Sequence, residues 1–492
     1  MEQLYALITT EEPAKQDLYI KQAGNVLDFC TYFNSFSLKK WRQYTTLQTV
    51  TIKLSLDGLF EVTLLTVDRE GEHILQREQA RGAYEHTLKL SDIDGDLLGF
   101  RLEPLSVGAR YLSGAYHGTA SEWHDKKIGV GICTFKREKY VRRTMAVLSD
   151  FQKEHRWLSV LVVDNGSTLP VQEIPSLRVV HNRNYGGSGG FTRAMIEYVE
   201  EGRVDYILLM DDDIILEPSA IERTHSLLSC LKSEYRDSFL SGAMLSLEQP
   251  TIQYENTAYW GKIRLHGLGK GFHMDDLHDC VRNELLGSYP NQYGAWWYCC
   301  IPLHRIREIG YPLPVFLKGD DMEYGIRNHR PIMSMNGIAV WHQAFSTKIS
   351  DVVNYYSDRN MLIINNYAAG CSWATFFLAV CGRFVKRLLQ GRLMSLQILC
   401  KALADYNSGL QGITACRADD KMKEVQACAA ASVSFSVVVQ AAYAVICSIL
   451  TYPKMHQQYA HFRKSELSDA SFWKQYLHME GAIDERIHKR TI

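Results

Sequence analysis

At 492 residues the chain is longer than one hydrophobic core supports and reads as two or three domains. Its 54 basic and 55 acidic residues nearly cancel, which excludes a global field that would recruit nucleic acid or acidic partners. The opening MEQLYALITTEEPAKQDLYI lacks a basic segment followed by an apolar one, so no secretory signal is read there and a cytosolic start is expected. Twelve cysteines without a Cys-x-x-Cys pair argue against a disulfide framework or a structural zinc site and predict reduced, mostly buried thiols.

Taken in chain order, residues 1–125 predict a β-rich domain, because stretches such as TLQTVTIKLSLDGLFEVTLLTV alternate or turn at Asp-Gly. After the polar SEWHDKK, a second pattern occupies 126–350. IGVGICTF, LSVLVVDNGS and YILLMDDDI are short apolar strands separated by helix-length segments, which predicts βαβ units and a parallel sheet. From 351 to 492 long helical patterns dominate. One of them, RFVKRLLQGRLMSLQILCKAL, carries Arg383, Lys386, Arg387, Arg392 and Lys401 on its polar positions. Residues 425–452 contain no charge, yet Ser432, Ser434, Ser436 and Gln440 dilute them. A bilayer span needs about 20 apolar residues, so a buried helix, a subunit contact or a segment in the membrane surface fits better than a span.

The stretch VDYILLMDDDIIL, 204–216, ends a buried strand with three aspartates. In extended chain Asp211 and Asp213 face one side and Asp212 the other. Two carboxylates sharing one space repel, and a divalent cation is one way to hold them together. An acidic turn capping the next helix is the other. The two preceding strand ends, CTFKRE and VVDNGST, put Thr134, Arg137, Asp164 and Asn165 where an open α/β sheet binds ligands, although Asp164 is equally suited to closing a turn. HNRNYGGSGGFTRAM, 181–195, is a glycine-rich approach to a helix that could bring backbone amides to a pyrophosphate, or simply turn tightly.

Further on, Trp296 and Trp297 offer flat faces for sugar rings or core filling. Asp320, Asp321 and Glu323 in GDDMEYGIR could supply a general base or an acidic helix start. His342 follows another strand-like run, VWHQAF, and becomes a plausible third metal ligand because it lies in the domain that holds the aspartate triplet.

The order of these motifs resembles the inverting nucleotide-sugar glycosyltransferases of GT-A fold, family 2. More narrowly it resembles the galactofuranosyltransferases that build cell-wall galactan and related bacterial polysaccharides. TFKRE, NYGGSGGF, DDD, WW, GDDMEY, WH and YYSDRN carry the likeness. The resemblance implies an α/β GT-A (Rossmann-like) catalytic domain between an N-terminal β-sandwich or barrel and a C-terminal helical, membrane-associating domain. It implies that Asp211, Asp213 and His342 hold Mn²⁺ or Mg²⁺ and that Asp321 is the catalytic base. It also implies acceptor contacts from Asp320, Glu323, Trp296 and Trp297, and donor contacts from Thr134, Arg137, Asp164, Asn184 and Asp212.

The implied reaction is a single in-line displacement from UDP-galactofuranose to a hydroxyl of a polyprenyl-linked glycan, peripheral on the inner face of the plasma membrane. A homo-oligomer is compatible with it, and no nucleic-acid partner is expected. Two alternatives are a transferase for another donor such as dTDP-rhamnose and a non-catalytic glycan-binding scaffold. A processive synthase would need several clear transmembrane helices.

Overall fold

In the computed structural model, residues 1–174, 177–261, 263–344, 350–416 and 418–479 are described. Seven strands, Glu2–Ala6, Lys21–Ala23, Val26–Asp28, Leu47–Asp68, Gly71–Lys89, Leu97–Pro104 and Arg110–Ala120, form one antiparallel N-terminal sheet. Leu47–Asp68 is its spine, pairing with Arg110–Ala120 along its first half and with Leu97–Pro104 along its second.

Asp57-Gly58 is not the hairpin turn that its sequence predicts. The pairing with Gly71–Lys89 slips between Leu56 and Leu59 and then continues, so the dipeptide is a bulge inside one long strand. Gly58 has φ 101°, and a Cβ there would lie 2.7 Å from Ala109 Cβ, so the bulge requires glycine. The hairpin is made instead at the next polar pair, Arg69-Glu70.

This domain is packed onto the next through helix Pro218–Ser229. Ser226 Oγ donates to Leu4 O at 2.7 Å, and the guanidinium of Arg223, 1% exposed, lies 3.7 Å from the centre of the Tyr5 ring. A buried cation held by a ring face and a backbone carbonyl, that of Phe33, keeps the two domains in one orientation.

The central domain is an eight-stranded mixed sheet flanked by helices. Its parallel part runs Leu177–His181, Leu158–Asp164, Ile128–Thr134, Tyr206–Asp211, and antiparallel Cys299–Pro302 pairs with the last of these. These strands read as continuous apolar runs because helices such as Glu138–Phe151 and Gly186–Glu201 cover the sheet. A smaller sheet, Ile215–Leu216, Ala339–His342, Ala243–Ser246 and Gln253–Glu255, stands beside the carboxyl ends of the parallel strands.

The C-terminal region is helical, from Asp351–Ile363 to Ser471–Tyr476. The charge-free stretch is split between Ala418–Ala430 and Ser436–Leu450. Among the described residues no single helix is long and apolar enough to cross a membrane; one pair, Ser436–Leu450 and Tyr452–Glu466, passes on length and composition but bends by 64°. Nor is Ser436–Leu450 simply buried, because Val439, Tyr443, Ile446 and Leu450 are exposed.

The basic stripe is also used differently from its sequence reading. Arg387 pairs with Asp358 at 2.6 Å, Arg383 lies 3.7 Å from the same carboxylate, and Lys401 reaches Glu424 of helix Ala418–Ala430 at 2.5 Å, so these three cations brace helices together. Lys386 and Arg392 remain at the surface. The described cysteines are all free; five are buried and seven are only partly covered, fewer buried than expected.

Candidate active site

Strand Tyr206–Asp211 leaves its sheet at Asp211, and the chain turns at once through Asp212 and Asp213. The extended geometry that would alternate the three side chains therefore ends before the second aspartate. What brings Asp213 to His342 is strand pairing. Ile215 opposes Trp341 and Leu216 opposes Val340 in antiparallel register, so the next residue along, His342, is carried back toward the aspartates.

His342 Nε2 lies 2.9 Å from Asp213 Oδ1 and 3.8 Å from Asp211 Oδ2. The ligand atoms of Asp211, Asp213 and His342 all fall within 4.8 Å of one another. His342 Nδ1 is 2.7 Å from Gln343 O, a carbonyl that can only accept from the ring N–H, so Nε2 is the nitrogen that faces the carboxylates. Two carboxylates and an imidazole nitrogen so placed fit a divalent cation.

Asp212 belongs to a different set of bonds. It accepts from Thr134 Oγ1 at 2.7 Å and from Arg137 Nη1 at 3.2 Å, and the same guanidinium nitrogen reaches Asp213 at 2.7 Å. Burial pushes the Asp212 carboxyl up, opposed by the Thr134 bond and the Arg137 charge. Asp164 is fully buried and accepts from the amides of Gly166, Thr168 and Leu169 at 2.9, 2.6 and 2.7 Å, so it closes the loop that follows its strand. Asn184 Oδ1 accepts from the Gly186 amide at 3.2 Å. Asn165, Asn182 and Asn184 stand together at the wall of a cleft of about 620 Å³ that also includes Phe135 and Lys136.

The glycine-rich turn is explained by close packing. Gly186 has φ 69°, and a Cβ there would meet Phe316 O at 2.1 Å; one on Gly190 would meet Cys133 Sγ at 2.1 Å. Helix Gly186–Glu201 can therefore lie tight against the first strand of the sheet and against the segment that leads to Asp320.

A second cavity of about 500 Å³ joins the acidic clusters. Arg137 and Asp211 line one part of it; Trp296, Trp297, Asp320 and Asp321 line another. Both indoles are nearly buried, Trp297 donating to Gly242 O at 2.8 Å and Trp296 lying edge-on to Phe191. They form a firm wall rather than a mobile platform. Burial pushes the carboxyls of Asp320 and Asp321 up, Asp320 further because the Asp321 charge adds to it, while the nearby Lys318 lowers Asp321. A carboxylate raised in this way is a better proton acceptor.

Glu323 does not line this cavity. It is 1% exposed and paired with Arg327 at 2.9 Å, whose Nη atoms also bond the carbonyls of Ile309 and Tyr311. One turn of helix separates it from Arg327, and that proximity turns the carboxylate toward the protein interior. Glu255, which the sequence reading passes over, does line the cavity; burial pushes its carboxyl up to about 7. The available signal was a charged residue inside the strand-like QYENTAYW.

Residues 125–348 match the family model described as glycosyltransferase like family 2, and residues 8–104 match that described as galactofuranosyltransferase 2 N-terminal. The α/β domain is thus similar to the family 2 glycosyltransferases, whose GT-A type its architecture shares. Among its relatives are two galactofuranosyltransferases named GlfT2. That of Mycolicibacterium smegmatis is 26% identical over 82% of this chain and 67% of its own length; that of Mycobacterium tuberculosis is 28% identical over 72% of this chain and 60% of its own. The chain thus spans roughly two thirds of the curated relatives it matches. Among solved structures, S. aureus TarS 1–349 aligns with TM-score 0.37 and 16% identity over 68% of this chain and 91% of that one.

Proposed function

We propose that the chain transfers galactofuranose from UDP-galactofuranose to a hydroxyl of a lipid-linked glycan in bacterial cell-surface polysaccharide synthesis, inverting the anomeric carbon. The observation that carries this is the continuity of one cavity from Arg137 and Asp211 to Asp320 and Asp321, with Trp296 and Trp297 in its wall. A donor diphosphate belongs at the first end and an acceptor sugar at the second. Asp211, Asp213 and His342 would hold Mn²⁺ or Mg²⁺, which when bound would neutralise the diphosphate and favour departure of the nucleotide.

The remaining chemistry belongs to side chains. Arg137 supplies a fixed cation beside the aspartates for the diphosphate. Asp321 takes the proton of the acceptor hydroxyl; that oxygen forms a bond to the anomeric carbon as the bond to the departing phosphate oxygen breaks on the opposite face. The indole wall keeps water, the competing acceptor, away from that carbon.

The acceptor's lipid carrier has a matching surface. Helices Trp373–Leu389 and Ser436–Leu450 lie side by side, joined by a bond from Trp373 Nε1 to Ile449 O at 3.2 Å. Together they expose Leu378, Leu389, Val439, Tyr443 and Leu450 beside Lys386. An apolar face with a cation at its edge suits peripheral contact with an anionic membrane.

The test is release of UDP from UDP-galactofuranose with Mn²⁺ and a short galactofuranosyl lipid, comparing wild type with Asp321→Ala. Turnover that needs both the ion and Asp321 supports donor, base and reaction together. Turnover only with another nucleotide sugar would keep the transferase and remove galactofuranose, and no turnover with any donor would leave a glycan-binding scaffold.

A further inference from the structure

The segment 313–319, which delivers Asp320 and Asp321 to the cavity, is neither helix nor strand. Phe316, Lys318 and Gly319 have φ of 71°, 64° and 90°, a left-handed backbone that side-chain-bearing residues adopt at a steric cost. Such a segment has no ladder to receive its carbonyls, and buried carbonyls need donors. Two neighbours supply them. Ser188, in the glycine-rich helix, donates its hydroxyl to Leu313 O at 2.7 Å and its amide to Phe316 O at 3.3 Å. The others come from helix Asp351–Ile363, outside the matched catalytic region.

There Arg359 donates to Val315 O at 2.7 Å, and Asn360 Nδ2 faces Val315 O, Leu317 O and Lys318 O at 3.2, 2.7 and 2.7 Å. The amide's orientation is set from behind, because Arg359 Nε donates to Asn360 Oδ1 at 2.9 Å. Both side chains are nearly inaccessible, 2% and 1% exposed, and the rings of Tyr355 and Tyr356 flank the guanidinium at 5.4 and 5.0 Å. The stretch YYSDRN, for which the reaction itself has no use, is thus a clamp.

We infer that Asn360 is a positioning residue for the reaction, fixing the irregular segment 315–319 and through it the two carboxylates. A primary amide has two N–H groups, here facing three carbonyls; Val315 O keeps its bond from Arg359, so loss of the amide frees Leu317 O and Lys318 O together. The inference rests on Asp321 acting as the base; the anchoring of the segment stands without that role.

The test compares wild type with Asn360→Ala and with Asn360→Ser, which keeps one small donor. Three quantities are read: steady-state rates, UDP affinity by calorimetry with Mn²⁺, and hydrogen exchange peptide by peptide. A displacement of the base by about 1 Å lowers kcat on the order of 10²-fold. The expected result is that fall in Asn360→Ala with KM for the nucleotide sugar and UDP affinity unchanged, partial recovery in Asn360→Ser, and faster exchange confined to 313–322.

Unchanged kcat beside an active wild type overturns the inference. So does a joint loss of kcat, UDP affinity and Tm in both variants, which makes Asn360 a stability residue. If wild type turns over no nucleotide sugar, the transferase reading is what fails; exchange at 313–322 then decides the anchor alone, and unaltered exchange overturns it.

Discussion

Asp211–Asp213 and Asp320–Asp321 are both runs of adjacent carboxylates at one cavity, but their surroundings are opposite. The first run is answered by Thr134, Arg137 and His342 within hydrogen-bond distance. The second stands against the indoles, with Lys318 the nearby cation, and burial raises both of its carboxyls. Burial raises Asp212 of the first run as well, but there the Thr134 bond and the Arg137 charge oppose it, which suits binding, whereas the second pair, raised among indoles, suits proton transfer. Glu323, one turn away, is a third case: a carboxylate neutralised by Arg327 and withdrawn into the core.

The largest effect is expected at the desolvated pair. Asp321→Asn keeps the shape and removes the base, and kcat should fall by about 10²–10⁴-fold with UDP affinity retained. Rates within error of wild type would assign the proton to another group, with Asp320 and Glu255 the other buried carboxylates on the cavity wall.

Arg327→Met should sharpen the contrast with Glu323. Stranding that carboxylate costs about 3–5 kcal/mol by denaturant unfolding, as for other broken buried pairs. A loss of stability near zero would mean that Glu323 is not dependent on its partner.

His342→Ala should weaken Mn²⁺ and Mn²⁺-dependent UDP binding, measured by calorimetry, by at least the roughly 10–100-fold seen for disturbing metal-site support. Retained affinity would break the assignment of the first run to a cation.

A smaller effect is expected at the exposed apolar face, where Leu389→Ser with Val439→Ser should reduce sedimentation with anionic vesicles. Partial burial of two such side chains supports a change of about tenfold. Equal sedimentation would remove that face as the membrane contact.

The smallest effect concerns pH. Ionising Asp320 where it is buried costs stability; the cost is absent below the ordinary carboxylate pKa near 4 and grows until the raised folded-state value is passed. Asp320→Asn should therefore raise Tm in chelator at about pH 8, with the gain vanishing toward about pH 4. The same upward displacement predicts that the acid limb of kcat/KM lies above the usual carboxylate range, activity rising with pH across it.

Much of the architecture is decided by local pattern. Period-two and continuous apolar runs dictate strands, the helical periods after 351 dictate helices, and an aspartate triplet closing a buried strand marks the binding edge of the sheet, because each signal needs only neighbouring residues. Other features depend on pairings distant in the chain. The register of Ile215 with Trp341 carries His342 to Asp213, Arg327 draws Glu323 away from the cavity, Asp358 takes up Arg383 and Arg387, and Gly58 becomes a bulge only because Gly71–Lys89 continues beside it. A side chain's charge and type can be read from sequence. Which partner satisfies it is chosen by burial, since a desolvated charge or carbonyl must take whatever donor or counter-ion the packed fold presents.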